Sequence, residues 1–304
     1  MLRKSVLATI VYYDILSYPL TEFEVWKHLI ETDEAEKKLP TPTLSEVSSV
    51  LDSLVAERKL SRFRGFIILS DCETLVLSRI HDEKRAVRKI KRASELIWLL
   101  SWVPFIRMIG LTGSLSMKQG DAGSDWDFFV VIKKGAIWRG RMFLALVLQL
   151  LGKRRHGRYI ENRACLNHFV TDSSLAISMQ DLFSAHEYRF MYPIFGWQMY
   201  RKFELANGWM KTLKPTFTLS ELPSLWLSPQ NHSLRFIQQI LEQLLEHQWL
   251  ENMFARWQKK KITANPNTSM EGAFIVANDE TLIFLPHPKG PMIYDRFKQN
   301  LSLS

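Results

Sequence analysis

The chain has 304 residues, 46% of them hydrophobic and 23% charged, with a formal net charge of +9; that balance excludes extensive disorder and leaves room for two or three domains. Two cysteines, Cys72 and Cys165, are too few and too far apart for a disulfide framework or a zinc site, which points to a reducing, cytoplasmic setting. No membrane span is expected, because "ELIWLLSWVPFIRMIGL" is broken by Pro104 and Arg107 and "MFLALVLQLL" is about half the length required. The first ten residues carry no signal cleavage pattern.

In chain order, "SVLATIVYYDILS" has apolar residues at helical spacing and stops before Tyr18-Pro19. Thr21 with Glu24, and Thr43 with Glu46, form capping boxes that predict helices over "EFEVWKHLI" and "LSEVSSVLDSLVAERK". "LSRFRGFIILS" follows as a small hairpin with Gly65 at its middle. "LSRIHDEKRAVRKIKRASELIWLLSW" reads as one long helix ending near Pro104. Seven basic residues between Arg79 and Arg92 give it either a solvated face or the wall of an anion groove. Then come three short apolar strands, "FIRMIGL", "DFFVVI" and "CLNHFV", with the amphipathic helix "WRGRMFLALVLQLLG" between the last two. This predicts a mixed α/β arrangement rather than a regular βαβ alternation.

After Thr171 the chain is predicted to be helical through "SSLAISMQDLFSAHEYRFM", "GWQMYRKFELANGWMKTL" and "HSLRFIQQILEQLLEHQWLENMFARWQKKK", with a proline-bearing break, "KPTFTLSELPSLWLSPQN", before the last. The aromatic residues of these helices are expected to pack in the core rather than stack on bases. "GAFIVANDETLIFL" reads as a hairpin turning at Asn278-Asp279, and "MIYDRFKQNL" as a final helix.

The chemistry-bearing stretch is "GLTGSLSMKQGDAGSDWDFFVVIKK", Gly110 to Lys134. Residues i and i+2 of a strand point the same way, so Asp125 and Asp127 project two carboxylates together at the mouth of "DFFVVI". Like charges that close repel unless a cation lies between them, and hard oxygen donors suit Mg²⁺ or Mn²⁺. Gly113 permits close backbone approach and Ser114 offers a hydroxyl, the makings of a phosphate turn. The basic surplus sits just downstream: Lys133 to Arg163 holds nine Lys/Arg and one acid, Glu161, whereas Met1 to Ser70 holds nine Lys/Arg and ten acids.

In its order and spacing, "GSLSMKQGDAGSDWDFFVV" resembles the signature of the DNA polymerase beta-type nucleotidyltransferase superfamily, a Gly-Ser turn followed by Ser-Asp-hydrophobic-Asp. The resemblance covers about Phe105 to Thr171 and is closest in style to small bacterial nucleotidyltransferase domains carrying an N-terminal winged helix. It implies an α+β protein. Residues 1–75 would form a winged helix-turn-helix unit, 76–104 a basic linking helix, 105–190 a nucleotidyltransferase-type mixed sheet with helices, and 191–304 a mainly helical region with a small hairpin. It further implies that Gly113, Ser114 and Ser124 bind phosphate, that Asp125 and Asp127 are the catalytic and metal-holding residues, and that the substrate is an NTP used with Mg²⁺ or Mn²⁺. The acceptor is left open among a protein, an RNA and a small molecule.

Two positions depart from the family pattern. Leu115-Ser116-Met117-Lys118 lacks the basic residue and second glycine common after Gly-Ser; Lys118 is the candidate to take over phosphate contact, a plain surface lysine being the alternative. No third carboxylate lies at the expected place in "ACLNHFVTD", where Asn167 is the best-placed polar residue and Asp172 lies at the far end. Either Asp172 or another acid serves, or the protein is a nucleotide- or nucleic-acid-binding regulator with weak or no activity. Arg139 and Arg141 are expected to assist electrostatically, His168 to be a packed strand histidine, and Cys165 to be a small buried apolar residue. DNA reading by the winged helix is disfavoured because the third helix offers Ser45, Glu46, Ser48, Ser49, Asp52 and Glu57. Only Arg58, at its end, and Arg62 and Arg64 on the wing could touch phosphate.

Overall fold

The structure, a computed structural model, describes residues 1–32, 41–69, 73–216 and 232–303. Cys72 and most of the proline-bearing break lie outside the described residues. The protein is a mixed α+β fold with two sheets. Among the described residues no helix is long and apolar enough to cross a membrane.

The first unit contains α1 (Leu2–Ile15), β1 (Leu20–Thr21), α2 (Glu22–Lys27), α3 (Leu44–Ala56), β2 (Ser61–Phe63) and β3 (Phe66–Ile68). Both capping boxes form as the sequence indicates: Thr21 and Thr43 accept from the amides of Glu24 and Glu46, whose carboxylates return to the threonine amides. Gly65, at φ +84°, turns the β2–β3 hairpin, and β1 joins it to give the order β1-β3-β2. Some of the exposed charges of this unit pair with one another. Arg62 pairs with Glu22 and Asp52, and Arg3 with Glu57.

Helix α4 (Glu73–Leu100) is the predicted long helix, but its basic residues are not all solvated. Arg79 is buried against the first unit, donating to Tyr18 and Glu24 with its guanidinium 3.8 Å from the Tyr18 ring centroid. Lys89, only 4% exposed, points the other way into the second unit.

That second unit is built on a six-stranded sheet of β4 (Ile106–Thr112), β5 (Trp126–Ile132), β6 (Ala164–Thr171), β7 (Tyr192–Phe195), β8 (Phe274–Ala277) and β9 (Thr281–Leu285), in the order β7-β4-β5-β6-β9-β8. β5 and β6 run parallel and the other pairs antiparallel, the mixed arrangement anticipated. The C-terminal hairpin is therefore the edge of the main sheet and not a separate feature. Strand alternation sets the layers. Trp126, Phe128, Val130 and Ile132 pack with α4 and α6 (Ile137–Leu150) on one face, whereas Phe129 and Val131 pack with α7 (Leu182–Arg189) and α8 (Trp197–Ala206) on the other.

Several helix boundaries differ from expectation. "MYPIF" supplies β7, a four-residue edge strand in which Pro193 is tolerated. α8 and the short α9 (Met210–Leu213) are separated at buried Asn207, whose side chain bonds Ile177 N, Leu175 O and Phe203 O. The last long helix divides at Glu246-His247 into α10 (His232–Leu245) and α11 (Gln248–Thr263). Finally α12 (Lys289–Leu303) crosses back onto the first unit, placing Ile293 and Phe297 in the cluster of Val6, Tyr12 and Leu51. Phe297 meets Tyr12 edge-on at 5.5 Å.

Candidate functional site

Why two aspartates open a buried strand follows from the alternation of β5. Asp125 and Asp127 continue the side that carries Phe129 and Val131, at the end where cover from α7 and α8 gives way to a cleft of about 1490 Å³. Trp126 between them faces the opposite core and is 1% exposed, which fixes the register and hence the direction of both carboxylates.

Three neighbouring elements complete the site. β4 ends at Thr112, paired with Asp127, and passes directly into the short helix α5 (Gly113–Ser116). Gly113 adopts φ +70°, and a Cβ there would collide with Asp127 Oδ2. This position needs glycine for conformation and for space together. Gly113→Ala is expected to cost on the order of 1–3 kcal/mol and to displace the Asp127 carboxylate; an unchanged urea midpoint would contradict the close approach.

On the other side, β6 lies parallel to β5 with Cys165 opposite Asp127, then slips by one residue so that His168 stands opposite Phe129. The resulting bulge, a device common beside functional sites, is where Asn167 sits. Asn167 Nδ2 donates to Asp127 Oδ1 at 3.3 Å. The loop before Asp125 is held by Lys89, whose ammonium donates to the carbonyls of Asp121, Ala122 and Ser124 and to Ser124 Oγ at 2.7–2.9 Å. A lysine has three protons to give, so these four acceptors saturate it.

The electrostatics are those of crowded acids. Burial pushes the Asp127 carboxyl up to about 6, and the Asp125 charge adds to the effect. Glu187, on α7, lines the same cleft; burial pushes it up to about 7, with the Asp127 charge adding and Lys289 opposing. Arg155 Nη1 donates to Asp125 Oδ2 at 2.6 Å and lies 3.5 Å from Cys165 Sγ. Lys289, the first residue of α12, also lines the cleft. Ligand atoms of Asp125, Asp127 and Cys165 lie within 4.8 Å of one another, the one group of this kind among the described residues.

The site residues named from sequence divide as follows. Gly113, Ser114, Ser124, Asp125, Asp127 and Asn167 all line the cleft. Ser124, however, gives its hydroxyl to the Asp121 carbonyl and accepts from Lys89, a structural duty. Lys118, at φ +58°, turns away to pair with Glu83 at 2.8 Å and does not line the cleft. Asp172 stands at the opposite end of β6, accepting from Lys134 N at 2.8 Å, because parallel pairing puts it beyond Ile132 rather than beside Asp127. Arg139 is sequestered by Glu251, while Arg141 lines the cleft but donates to Gln258.

His168 is a packed strand histidine as expected, buried with Nδ1 2.8 Å from Tyr188 OH, and burial holds it down at about 3. Cys165 is not the apolar filler expected from sequence, since it is half-buried beside the two aspartates. Glu187, Arg155, Lys289 and Lys89 were missed. Each reaches the site by tertiary packing alone, and only the basic run around Arg155 left a local sign. Comparison of the chain with protein-family models, with curated proteins and with solved structures finds no match.

Proposed function

We infer that the chain is a nucleotidyltransferase of the DNA polymerase beta type, moving a nucleoside monophosphate from an NTP to an acceptor hydroxyl with pyrophosphate leaving. The observation that carries this reading is the pairing of Asp125 and Asp127 at the mouth of a cleft that Gly113, Ser114 and Glu187 also line. Two carboxylates within 4.8 Å fit a hard divalent ion, whereas the neighbouring Cys165 thiol, pushed up to about 12 by burial, stays protonated. The Asp127 carboxyl is raised by burial first and by the Asp125 charge second, and a cation would offset both. Mg²⁺ or Mn²⁺ held there by Asp125 and Asp127 would supply charge neutralisation for a triphosphate.

The remaining chemistry belongs to side chains of this chain. Ser114 and the backbone at Gly113 orient the triphosphate, with Arg155 and Lys289 as the available cations. The bond of Arg155 to Asp125 would give way to an incoming metal ion, releasing the guanidinium for phosphate. Glu187, poised near neutrality, is suited to receive the acceptor proton. As that proton passes to the carboxylate, the acceptor oxygen bonds to the α-phosphorus and the bond to pyrophosphate breaks. Charge on the leaving group is met by Arg155 and Lys289.

The first unit, with three helices and the sheet β1-β3-β2, is read as a winged helix serving in docking. Its Arg62 and Arg3 are already paired with acids, which leaves a poor footprint for duplex DNA. The alternative, a regulator without turnover, is motivated by the missing third acid in β6 and by the attached first unit. Glu187, which lines the same cleft although outside the Asp125–Asp127–Cys165 group, supports turnover instead.

Purified protein with labelled NTPs and Mg²⁺ or Mn²⁺ is expected to release pyrophosphate and label an acceptor. Glu187→Gln is expected to slow transfer while nucleotide still binds. Equal labelling by an Asp125→Asn/Asp127→Asn double variant would overturn the assignment.

A further inference from the structure

The two tryptophans of α11 were expected to pack inside, and neither does. Trp249 is 62% exposed and Trp257 47% exposed, with Met253 between them at the same helical spacing. These three, with Asn252, Arg256 and Lys260, form one exposed face of the helix. The face is cationic. From Trp249 to Thr263 the acidic complement is Glu251 alone, which is buried and turned inward onto Arg139, whereas Arg256, Lys259, Lys260 and Lys261 stand on the same helix. Lys259 pairs with Asp279, and Lys261 lies 3.9 Å from the Trp257 ring centroid.

Trp257 borders the carboxylate cleft as well as this face, and Lys261 and Arg154 also line the cleft. Eight residues separate Trp249 from Trp257, about 12 Å along the helix axis. That matches the rise of three to four stacked nucleotides at about 3.4 Å each. Exposed indoles between cations suit unpaired bases joined by phosphates, with Lys261 moving off the Trp257 ring onto a phosphate as a base stacks there. A duplex would hide the stacking faces they need.

We propose that the outer face of α11 binds a single-stranded polynucleotide, with bases on Trp249 and Trp257 and phosphates on Arg256, Lys260 and Lys261, and that this strand is the acceptor whose terminal hydroxyl reaches Glu187. The identification as acceptor rests on the nucleotidyltransferase reading; the binding does not.

Fluorescence anisotropy of end-labelled oligouridylate and oligothymidylate, titrated with the full chain, tests the binding. Both should bind, more weakly as salt rises, and the comparison shows whether the ribose 2′-hydroxyl is read. Trp257→Ala and Trp249→Ala should each weaken binding roughly five- to a hundredfold, with Trp257→Phe retaining most of it. Arg256→Gln/Lys260→Gln should lower the salt dependence. All these positions are exposed, so unchanged thermal unfolding should accompany the losses.

The Asp125→Asn/Asp127→Asn variant should bind oligonucleotide normally. Binding without transfer by the wild type would therefore reject the enzymatic reading and leave the surface in place. The proposal is overturned if the tryptophan variants bind like wild type, if duplex competes as well as single strand, or if the face instead mediates self-association or binds anionic phosphatidylserine vesicles with no oligonucleotide bound.

Discussion

Asp127→Asn is expected to stop nucleotide transfer, by at least about a thousandfold, while making the metal-free protein more stable at neutral pH. The sign follows from proton binding. Burial and the neighbouring Asp125 charge raise the folded-state carboxyl to about 6, above its value in the unfolded chain. Between those two values the folded protein holds the extra proton, so stability falls as pH rises through the window and stays low above it. Asparagine carries no such charge and its amide oxygen can still accept from Asn167. At about 1.4 kcal/mol per pH unit, the gain is on the order of 1–3 kcal/mol, visible as a rise of several degrees in Tm above pH 7 that vanishes near pH 4. A gain of the same size at both pH values would trace it to packing instead. A loss at neutral pH would mean that the two carboxylates do not repel.

The second large effect is expected far from the carboxylates. The N-terminus of α6 has no side-chain cap of its own; Glu251 of α11 supplies one across the layer, accepting from the amides of Trp138 and Arg139 at 2.9 and 3.1 Å and from Arg139 Nε at 3.0 Å. Arg139 is 4% exposed and also donates to the carbonyls of Leu245 and Gly135. Glu251→Ala strands a buried guanidinium and two helix-start amides, and should cost about 3–5 kcal/mol. Replacing both partners by methionine should recover most of that, because the desolvation cost of the ion pair disappears with it. Chemical denaturation of the single and double variants checks the pair. A single-variant loss below about 1 kcal/mol would mean that water reaches Arg139.

What could be read in advance was local. Thr21 and Thr43 announced α2 and α3 through contacts three residues away. The spacing from Gly113 to Asp127 brought out a real juxtaposition, since β4 and β5 pair Thr112 with Asp127. Everything that depends on distant packing stayed hidden. Glu187 sits in "SAHEYRF", indistinguishable there from a solvated helix acid. Lys89 lies in a run of seven basic residues, and only the turn of α4 selects it for the Asp121–Ser124 loop. Asp172 misled because a strand sequence does not reveal which of its ends meets a neighbour's mouth; the parallel pairing of β5 and β6 decides that. Trp249 and Trp257 misled for the opposite reason, since composition assigns tryptophan to cores and surface placement has to be seen.

The return of α12 to the first unit also governs when the site can exist. During synthesis the hydrophobic side of α1 emerges long before Ile293 and Phe297, which finish its core. Lys289 arrives on that same helix. The nascent chain therefore carries a partly uncovered amino-terminal unit until α12 has been made, and the cleft gains Lys289 only when this clasp closes. Completion of the cleft and of the amino-terminal core thus both depend on α12, and a product terminated ahead of it would lack both together.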